Sequence, residues 1–315
     1  MRRTNQTLSD VGSTAAALRS TLFARFPSSP GRAWNALVYS SAYLSLIAMA
    51  EVVIVSTLLS LPPSPAAVVV GLVVFAVYTN DRLADVDTDV MSNPGQAAFV
   101  RRHRDVLYVL ASIAYGLAVA LSVLGGPIAL AVALLPGVFW VCYATNWIPG
   151  SGSVGRVQRL KDVFLVNTIV VALAWAATLT LLPLAFAGAP ITIPTLVVFS
   201  YFFLRVFTNT EIPNVRDVDG DRAIGVRTIP VVFGVTRTRW ILSAIDCCTA
   251  GLVVLAVSLE FLSPAHALAL LAGIGYSLSV TSLIGRVENE RLLAKVAECE
   301  YLVVFVVLTL AVSLS

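Results

Sequence analysis

The sequence has 315 residues, of which 58% are hydrophobic and 12% are charged, with a formal net charge of +3. A soluble domain carries about 25% charged residues, so this chain cannot cover its exterior with polar groups, and its mean hydropathy of +0.87 indicates an integral membrane protein. The four cysteines have no metal-binding spacing and the two histidines are far apart, which excludes a disulfide framework and a zinc site; no nucleic-acid partner is expected.

Residues 1–35 are predicted to form a cytoplasmic segment ahead of the membrane domain. Apolar side chains recur there at steps of three or four, from Leu8 to Phe26. This spacing suggests a helix that lies on the membrane surface, and a disordered tail is the alternative.

Residues 36–315 are predicted to form a single membrane domain. A membrane-crossing helix needs about 20 apolar residues, and long unbroken runs favour helices over the alternating strands of a barrel. The candidate spans are 36–60, 65–82, 105–124, 127–147, 162–183, 191–211, 239–259, 265–285 and 297–314. The expected fold is therefore all-α, with nine transmembrane helices around one central cavity that opens to the cytoplasmic side.

The basic residues predict the orientation of these spans. Every Lys and Arg except Arg205 lies before the first span or in the even-numbered connections and the span ends beside them. Cytoplasmic loops carry the excess of Lys and Arg in membrane proteins. We therefore expect a multi-pass protein with a cytoplasmic N-terminus and an outside C-terminus.

Acidic residues gather at the ends of spans two and six. "LADVDTDVMSNP" (83–94) and "VRDVDGDRAIGV" (215–226) share the figure Asp-Val-Asp-x-Asp. Residues four apart on a helix share a face, so we expect two stacks of carboxylates, while Asp87 and Asp219 point elsewhere, toward water. The stacks are Asp81, Asp85 and Asp89, and Asp217 with Asp221.

Stacked carboxylates repel each other unless a cation lies between them. Mg2+ is the expected ion, because it binds one or two carboxylates together with phosphate oxygens. Both clusters fall on the predicted cytoplasmic side, so they could hold a metal–diphosphate between them, with nearby basic residues completing the site. A membrane cation transporter that uses the Asp clusters as ion sites is the alternative function, and solvated loop charges are the simplest one.

Two charged residues lie inside the predicted spans. Arg205 lies near the cytoplasmic end of span six; it reaches the diphosphate, makes a local pair with Glu211 or is a snorkelling side chain. Asp246 lies inside span seven and is expected to face the bundle interior, because a charge is costly in lipid.

The sequence around these clusters resembles the UbiA superfamily of intramembrane prenyltransferases. "DVDGDRAIGVRTIPVVFG" (217–234) is similar to the family's second acidic motif, and "RLKDVFLVNTIVVALAW" (159–175) is similar to its central cytoplasmic segment, with Lys161 and Asn167 at matching positions. Asp81 stands where the family usually has Asn, and Asn214 stands where many members have Asp.

The resemblance implies Mg2+-dependent transfer of an isoprenyl chain from an allylic isoprenyl diphosphate to a hydrophobic acceptor of the quinone-precursor, ether-lipid or carotenoid type, with release of diphosphate. The implied partners are the donor, a lipid-like acceptor and membrane lipids. Asp85, Asp217 and Lys161 are the implied catalytic residues, and Asp81, Asp85, Asp89, Asp217 and Asp221 the metal ligands. The implied substrate-binding residues are Asn80, Arg102, Asn167, Arg205, Arg222 and Arg227.

Overall fold

The computed structural model describes residues 30–87, 89–144, 146–148, 158–159, 164–287 and 289–313. The surface helix expected within residues 1–35 therefore lies almost wholly outside the described residues. The helices are α1 Pro30–Tyr39, α2 Ala42–Leu58, α3 Ala66–Ala84, α4 Asp89–Ser92, α5 Pro94–Arg102, α6 Arg104–Ser122, α7 Gly126–Ala144, α8 Val166–Ala187, α9 Ile193–Ile224, α10 Ile229–Phe233, α11 Val235–Ser258, α12 Pro264–Ser282, α13 Glu290–Ala297 and α14 Glu300–Ser313. A 3-10 turn, Val123–Gly125, separates α6 from α7, and a short antiparallel pair, β1 Asn146–Ile148 with β2 Gln158–Arg159, follows α7.

The all-helical prediction is confirmed over the described part of the chain, apart from that small strand pair. Seven helical segments there are long and apolar enough to cross a membrane, or eight if a bent pair counts as one span. The bent pair is Ala33–Tyr39 with Ala42–Leu58, and its two parts meet at 67°. Each of the predicted spans overlaps a helix of the structure.

One of the seven segments is the 39-residue run Arg104–Cys142. As a straight helix it would be about 58 Å long, roughly twice the thickness of a bilayer's hydrocarbon core. The run is broken at Gly126, whose φ of +82° suits a residue without a Cβ. A Cβ on Gly137 of α7 would collide with the Tyr115 hydroxyl of α6, so the two halves lie side by side.

Helix α9 carries the second acidic cluster in its last turns. It has 32 residues and begins at a capping box, in which the Thr192 N–H donates to the Thr195 hydroxyl at 3.1 Å, as is typical of helix N-termini. It ends at Gly225, which has φ of +82°, and the Val226 N–H donates to the Asp221 carbonyl at 2.9 Å, a normal way to close a helix. At about 48 Å, α9 is longer than a bilayer core is thick.

The interior is apolar and so is much of the exterior. One large buried cluster is formed by side chains of the long helices α2, α3, α6, α7, α8, α9, α11, α12 and α14. A smaller cluster packs Ile212 and Val215 of α9 against Leu242, Val280 and Leu293. Large apolar side chains are also exposed along the outer helices, among them Val109 and Leu117 of α6. A surface of this kind is stable in lipid and not in water, as expected for an integral membrane protein.

Candidate active site

The first acidic cluster continues the helical hydrogen-bonding pattern of α3 into α4. The backbone N–H groups of Asp85, Asp89 and Asn93 donate to the carbonyls of Asp81, Asp85 and Asp89 at 2.9, 2.9 and 2.7 Å. Residues joined in this way lie one above another, so the three carboxylates share a face. The Trp140 indole on α7 donates to Asp81 Oδ1 at 3.0 Å, which ties this cluster to a third helix.

The second acidic cluster occupies the last turns of α9. Arg216 donates to both carboxylate oxygens of Asp217, at 2.7 and 2.6 Å, and the Thr228 hydroxyl donates to Asp221 Oδ2 at 3.4 Å. Because α4 packs against α9, the two clusters lie on neighbouring elements.

The central residue of each acidic figure faces water, as the spacing predicts. The side chain of Asp87 is 88% exposed and pairs with Arg101 at 2.7 Å. The side chain of Asp219 is 98% exposed and pairs with Arg222 at 3.3 Å. Exposed pairs of this kind contribute little to stability, and they leave the flanking carboxylates to form the inner faces.

Asp89 shows that the two clusters act on each other. Its pKa is raised to about 6 by burial, then by the negative charges of Asp85, Asp81 and Asp217, with Arg216 acting in the opposite direction. A carboxyl group on the first cluster is therefore within electrostatic reach of the second. Such an arrangement favours a bound cation, because the cation would relieve the repulsion.

The donor set fits a metal held jointly with a phosphate group better than a metal held by protein alone. Within the described residues, no group of three or more His, Cys, Asp or Glu side chains is placed to hold a metal ion. Mg2+ typically binds through one or two carboxylates plus water and substrate phosphates. Each cluster offers carboxylates for such a joint site. They are Asp85 or Asp89 in the first cluster and Asp217 or Asp221 in the second.

The other predicted site residues differ in their surroundings. Arg102 and Arg222 are exposed, while Arg227 is exposed with its guanidinium 5.8 Å from the centre of the Phe164 ring. Asn80 donates to the Ala76 carbonyl of its own helix at 2.9 Å. Asn167 is half-buried in the first turn of α8, and Lys161 lies outside the described residues.

Arg205 requires a correction, because the structure places it in a buried ion cluster instead of at the diphosphate. Its guanidinium contacts Asp246 and Ser277, and its Nε donates to Glu300 Oε1 at 2.7 Å. All three charged side chains are 0% exposed. Arg205 also precedes Asp217 by about 18 Å along α9. The alternative of a local pair with Glu211 is wrong as well, whereas Asp246 does face the bundle interior as expected.

Sequence reasoning missed three neighbours of the clusters. Trp140 donates a hydrogen bond to Asp81, and Arg216 donates two to Asp217. Glu211 accepts hydrogen bonds from Thr168 and from Asn214. Arg216 could have been found from its position next to Asp217. The contacts of Trp140 and Glu211 depend on which helices are neighbours, and no local spacing reveals that.

An apolar cavity adjoins Asp81. It lies between α3, α7 and α8 and is lined by Val77, Tyr78, Asp81, Pro136, Phe139, Trp140, Val170, Val171, Ala174 and Trp175. Tyr78 and Trp175 stack there with ring centres 5.7 Å apart. The cavity thus joins a carboxylate to a wall of aromatic and aliphatic side chains.

Comparison with known proteins gives a consistent result. Residues 65–298 match the model of the UbiA prenyltransferase family. The chain is 27% identical over 212 residues to a digeranylgeranylglyceryl phosphate synthase of Methanoculleus marisnigri, covering 66% of this chain and 70% of the relative. It is 28% identical over 185 residues to an enzyme of the same name from Sulfurisphaera tokodaii, covering 57% and 60%.

Solved structures show the same fold at low identity. A UbiA homologue from Archaeoglobus fulgidus bound to GPP and Mg2+ has a TM-score of 0.62 and 15% identity, covering 89% of this chain and 99% of that one. A UbiA homologue from Aeropyrum pernix in its apo form has a TM-score of 0.61 and 16% identity, covering 86% and 98%.

Proposed function

Because the chain belongs to the UbiA prenyltransferase family, we propose that this membrane prenyltransferase moves an isoprenyl chain from an allylic isoprenyl diphosphate to a hydrophobic acceptor. The C1–O bond of the donor breaks and its electron pair leaves with the diphosphate. The acceptor forms the new bond to C1 and releases a proton. The observation that supports this most directly is the packing of α4, which begins at Asp89, against α9, which carries Asp217 and Asp221.

Asp81, Asp85, Asp89, Asp217 and Asp221 are the proposed metal ligands. Mg2+ bound there would neutralise the negative charge that develops on the departing diphosphate. Asp85 and Asp217 are the pair on which we expect activity to depend most. Arg216 keeps the Asp217 carboxylate in a fixed orientation through its two hydrogen bonds.

The diphosphate also needs donors from the protein. Lys161, Arg102, Arg222, Arg227, Asn80 and Asn167 remain our candidates for this role. Arg222 and Arg227 follow the second cluster closely in sequence, and Arg102 ends the short helix that follows the first. Arg205 is not among the candidates, because its partners are Asp246, Ser277 and Glu300.

The apolar cavity beside Asp81 is the proposed location of the isoprenyl tail. Its aromatic rings exclude water from the carbon that becomes electron-deficient as the C1–O bond breaks. Their faces also interact favourably with positive charge. Asp81 belongs to the first acidic cluster and also lines this cavity. The bond between the diphosphate and the isoprenyl chain of a donor would therefore lie near Asp81.

The proposed domain is the segment 36–315, with nine spans around a central cavity open to the cytoplasm and residues 1–35 as a cytoplasmic segment. The broken run Arg104–Cys142 and the bent first pair support this count. The distribution of Lys and Arg supports a cytoplasmic N-terminus and an outside C-terminus. Tagging either end and testing its accessibility in sealed vesicles would decide the orientation.

Among the acceptor types, an ether-lipid acceptor has the strongest support. The two curated relatives are named digeranylgeranylglyceryl phosphate synthases. Quinone-precursor and carotenoid acceptors remain open. Mass spectrometry of lipids formed on expression would identify the product, which should disappear with an inactive variant.

The function is tested by diphosphate release from GPP or DMAPP with Mg2+ and a lipid extract as acceptor. We expect release from the wild type, none from Asp85→Asn, and nearly normal release from Asp87→Asn, which changes an exposed carboxylate of the same figure. Ion flux in sealed vesicles without any prenyl substrate, together with no diphosphate release, would favour the transporter.

A further inference from the structure

Glu211 is a fully buried carboxylate that receives hydrogen bonds from side chains of two helices of the site. The Thr168 hydroxyl on α8 donates to Glu211 Oε1, and the Asn214 amide on α9 donates to Oε2 at 3.1 Å. Glu211 itself is 0% exposed, and the acidic motifs do not include it.

These bonds determine which way the Asn214 side chain is oriented. A carboxylate only accepts hydrogen bonds, so the amide nitrogen of Asn214 must face Glu211. The amide oxygen must then point away from Glu211. Asn214, Asp217 and Asp221 are spaced three and four residues apart on α9, a spacing that places them on one helix face. Glu211 therefore fixes the orientation of an oxygen-bearing group on the acidic face.

We propose that Glu211 is a positioning residue for the metal–diphosphate site, acting through the Asn214 amide. This inference rests on the proposed function of the acidic clusters. Groups that orient metal ligands typically contribute 10–100-fold to metal affinity or activity. Glutamine has the same shape but presents one donor and one acceptor in place of two acceptors. Glu211→Gln therefore replaces the charge-assisted hydrogen bond to the Asn214 amide by a weaker neutral one.

The test is Mg2+-dependent binding of GPP to the purified full chain, measured by calorimetry across a Mg2+ titration. We expect Glu211→Gln to raise the Mg2+ concentration for half-saturation by about tenfold or more. Glu300→Gln is the matched control, since it makes the same change in a buried carboxylate that pairs with Arg205. It should lower the melting temperature and leave the Mg2+ dependence unchanged.

A double-mutant cycle separates positioning from general destabilisation. If Glu211 acts through Asn214, Glu211→Gln in an Asn214→Ala background should have much less effect than in the wild type. Should Glu211→Gln not fold, Thr168→Val tests the same link by removing a hydrogen bond that holds the Glu211 carboxylate, with an expected weakening of Mg2+-dependent binding that Thr168→Ser avoids.

The outcomes are distinguishable. A normal Mg2+ dependence of folded Glu211→Gln, additive effects with Asn214→Ala, or an equal shift in Glu300→Gln would each overturn the positioning role. If Glu211→Gln does not fold, an unchanged Mg2+ dependence in Thr168→Val would also overturn it. If the wild type itself bound GPP equally with and without Mg2+, the proposed function would fail first.

Discussion

Replacing Arg205 by Met should destabilise the protein without removing its ability to bind the donor. The substitution keeps a long side chain but leaves Asp246 and Glu300, both 0% exposed, without their cation. Removing one partner of a buried ion pair costs about 3–5 kcal/mol. At about 2–4 °C per kcal/mol for chains of 150–250 residues, we expect the melting temperature in detergent to fall by about 10 °C.

The compensating variant makes this prediction specific. Arg205→Met combined with Asp246→Asn and Glu300→Gln removes all three charges, and neutral replacement of a complete buried ion cluster is often tolerated. We expect the triple variant to regain most of the lost melting temperature. Thermal unfolding and Mg2+-dependent GPP binding should be measured on the same preparations. A normal melting temperature in Arg205→Met, together with lost GPP binding, would refute the structural role and return Arg205 to the diphosphate.

Three further predictions concern the site itself. Asp217→Asn should abolish diphosphate release, whereas Asp219→Asn, at a 98% exposed position two residues later, should remain active; equal activity of the two would argue against the acidic face. Trp140→Phe removes the hydrogen bond to Asp81. Since hydrogen bonds to charged groups contribute about 1.5–3 kcal/mol, kcat/KM should fall about tenfold or more. Trp240→Phe, at an exposed position, is the control and should leave kcat/KM unchanged. Val171→Phe should fill part of the cavity and weaken binding of GPP more than of DMAPP, while Leu173→Phe, exposed on the same helix, should change neither; equal affinities of Val171→Phe for both donors would place the chain elsewhere.

The features that the sequence predicts correctly are those that depend on local periodicity. Whether a run of apolar residues is long enough to cross a bilayer depends on that run alone. Each predicted span accordingly overlaps a helix of the structure. Stacking of Asp81, Asp85 and Asp89 follows from helical geometry alone, and the backbone bonds between them are present. Exposure of Asp87 and Asp219 follows from the same geometry.

The features that sequence reasoning missed depend on which helices are neighbours. The sequence offers Arg205 the diphosphate or Glu211, a nearby acid on its own helix, but its partners Asp246 and Glu300 lie 41 and 95 residues away. Trp140 reaches Asp81 across 59 residues. A single sequence gives no distance between such positions. Helical periodicity and hydropathy predict local structure, whereas the order of the helices around the bundle depends on how they pack.

The two groups of charges in this protein differ in where their compensation originates. In the Arg205 cluster, the positive charge belongs to the protein and is fully enclosed with the two acids that it pairs with, so these ion pairs form without a ligand. In the acidic clusters, burial and then the charges of Asp85, Asp81 and Asp217 raise the pKa of Asp89 to about 6, and the opposing charge of Arg216 does not restore it to its ordinary value. A bound cation would relieve this repulsion. We therefore expect the site at the end of α3 and α9 to bind a cation from outside the chain.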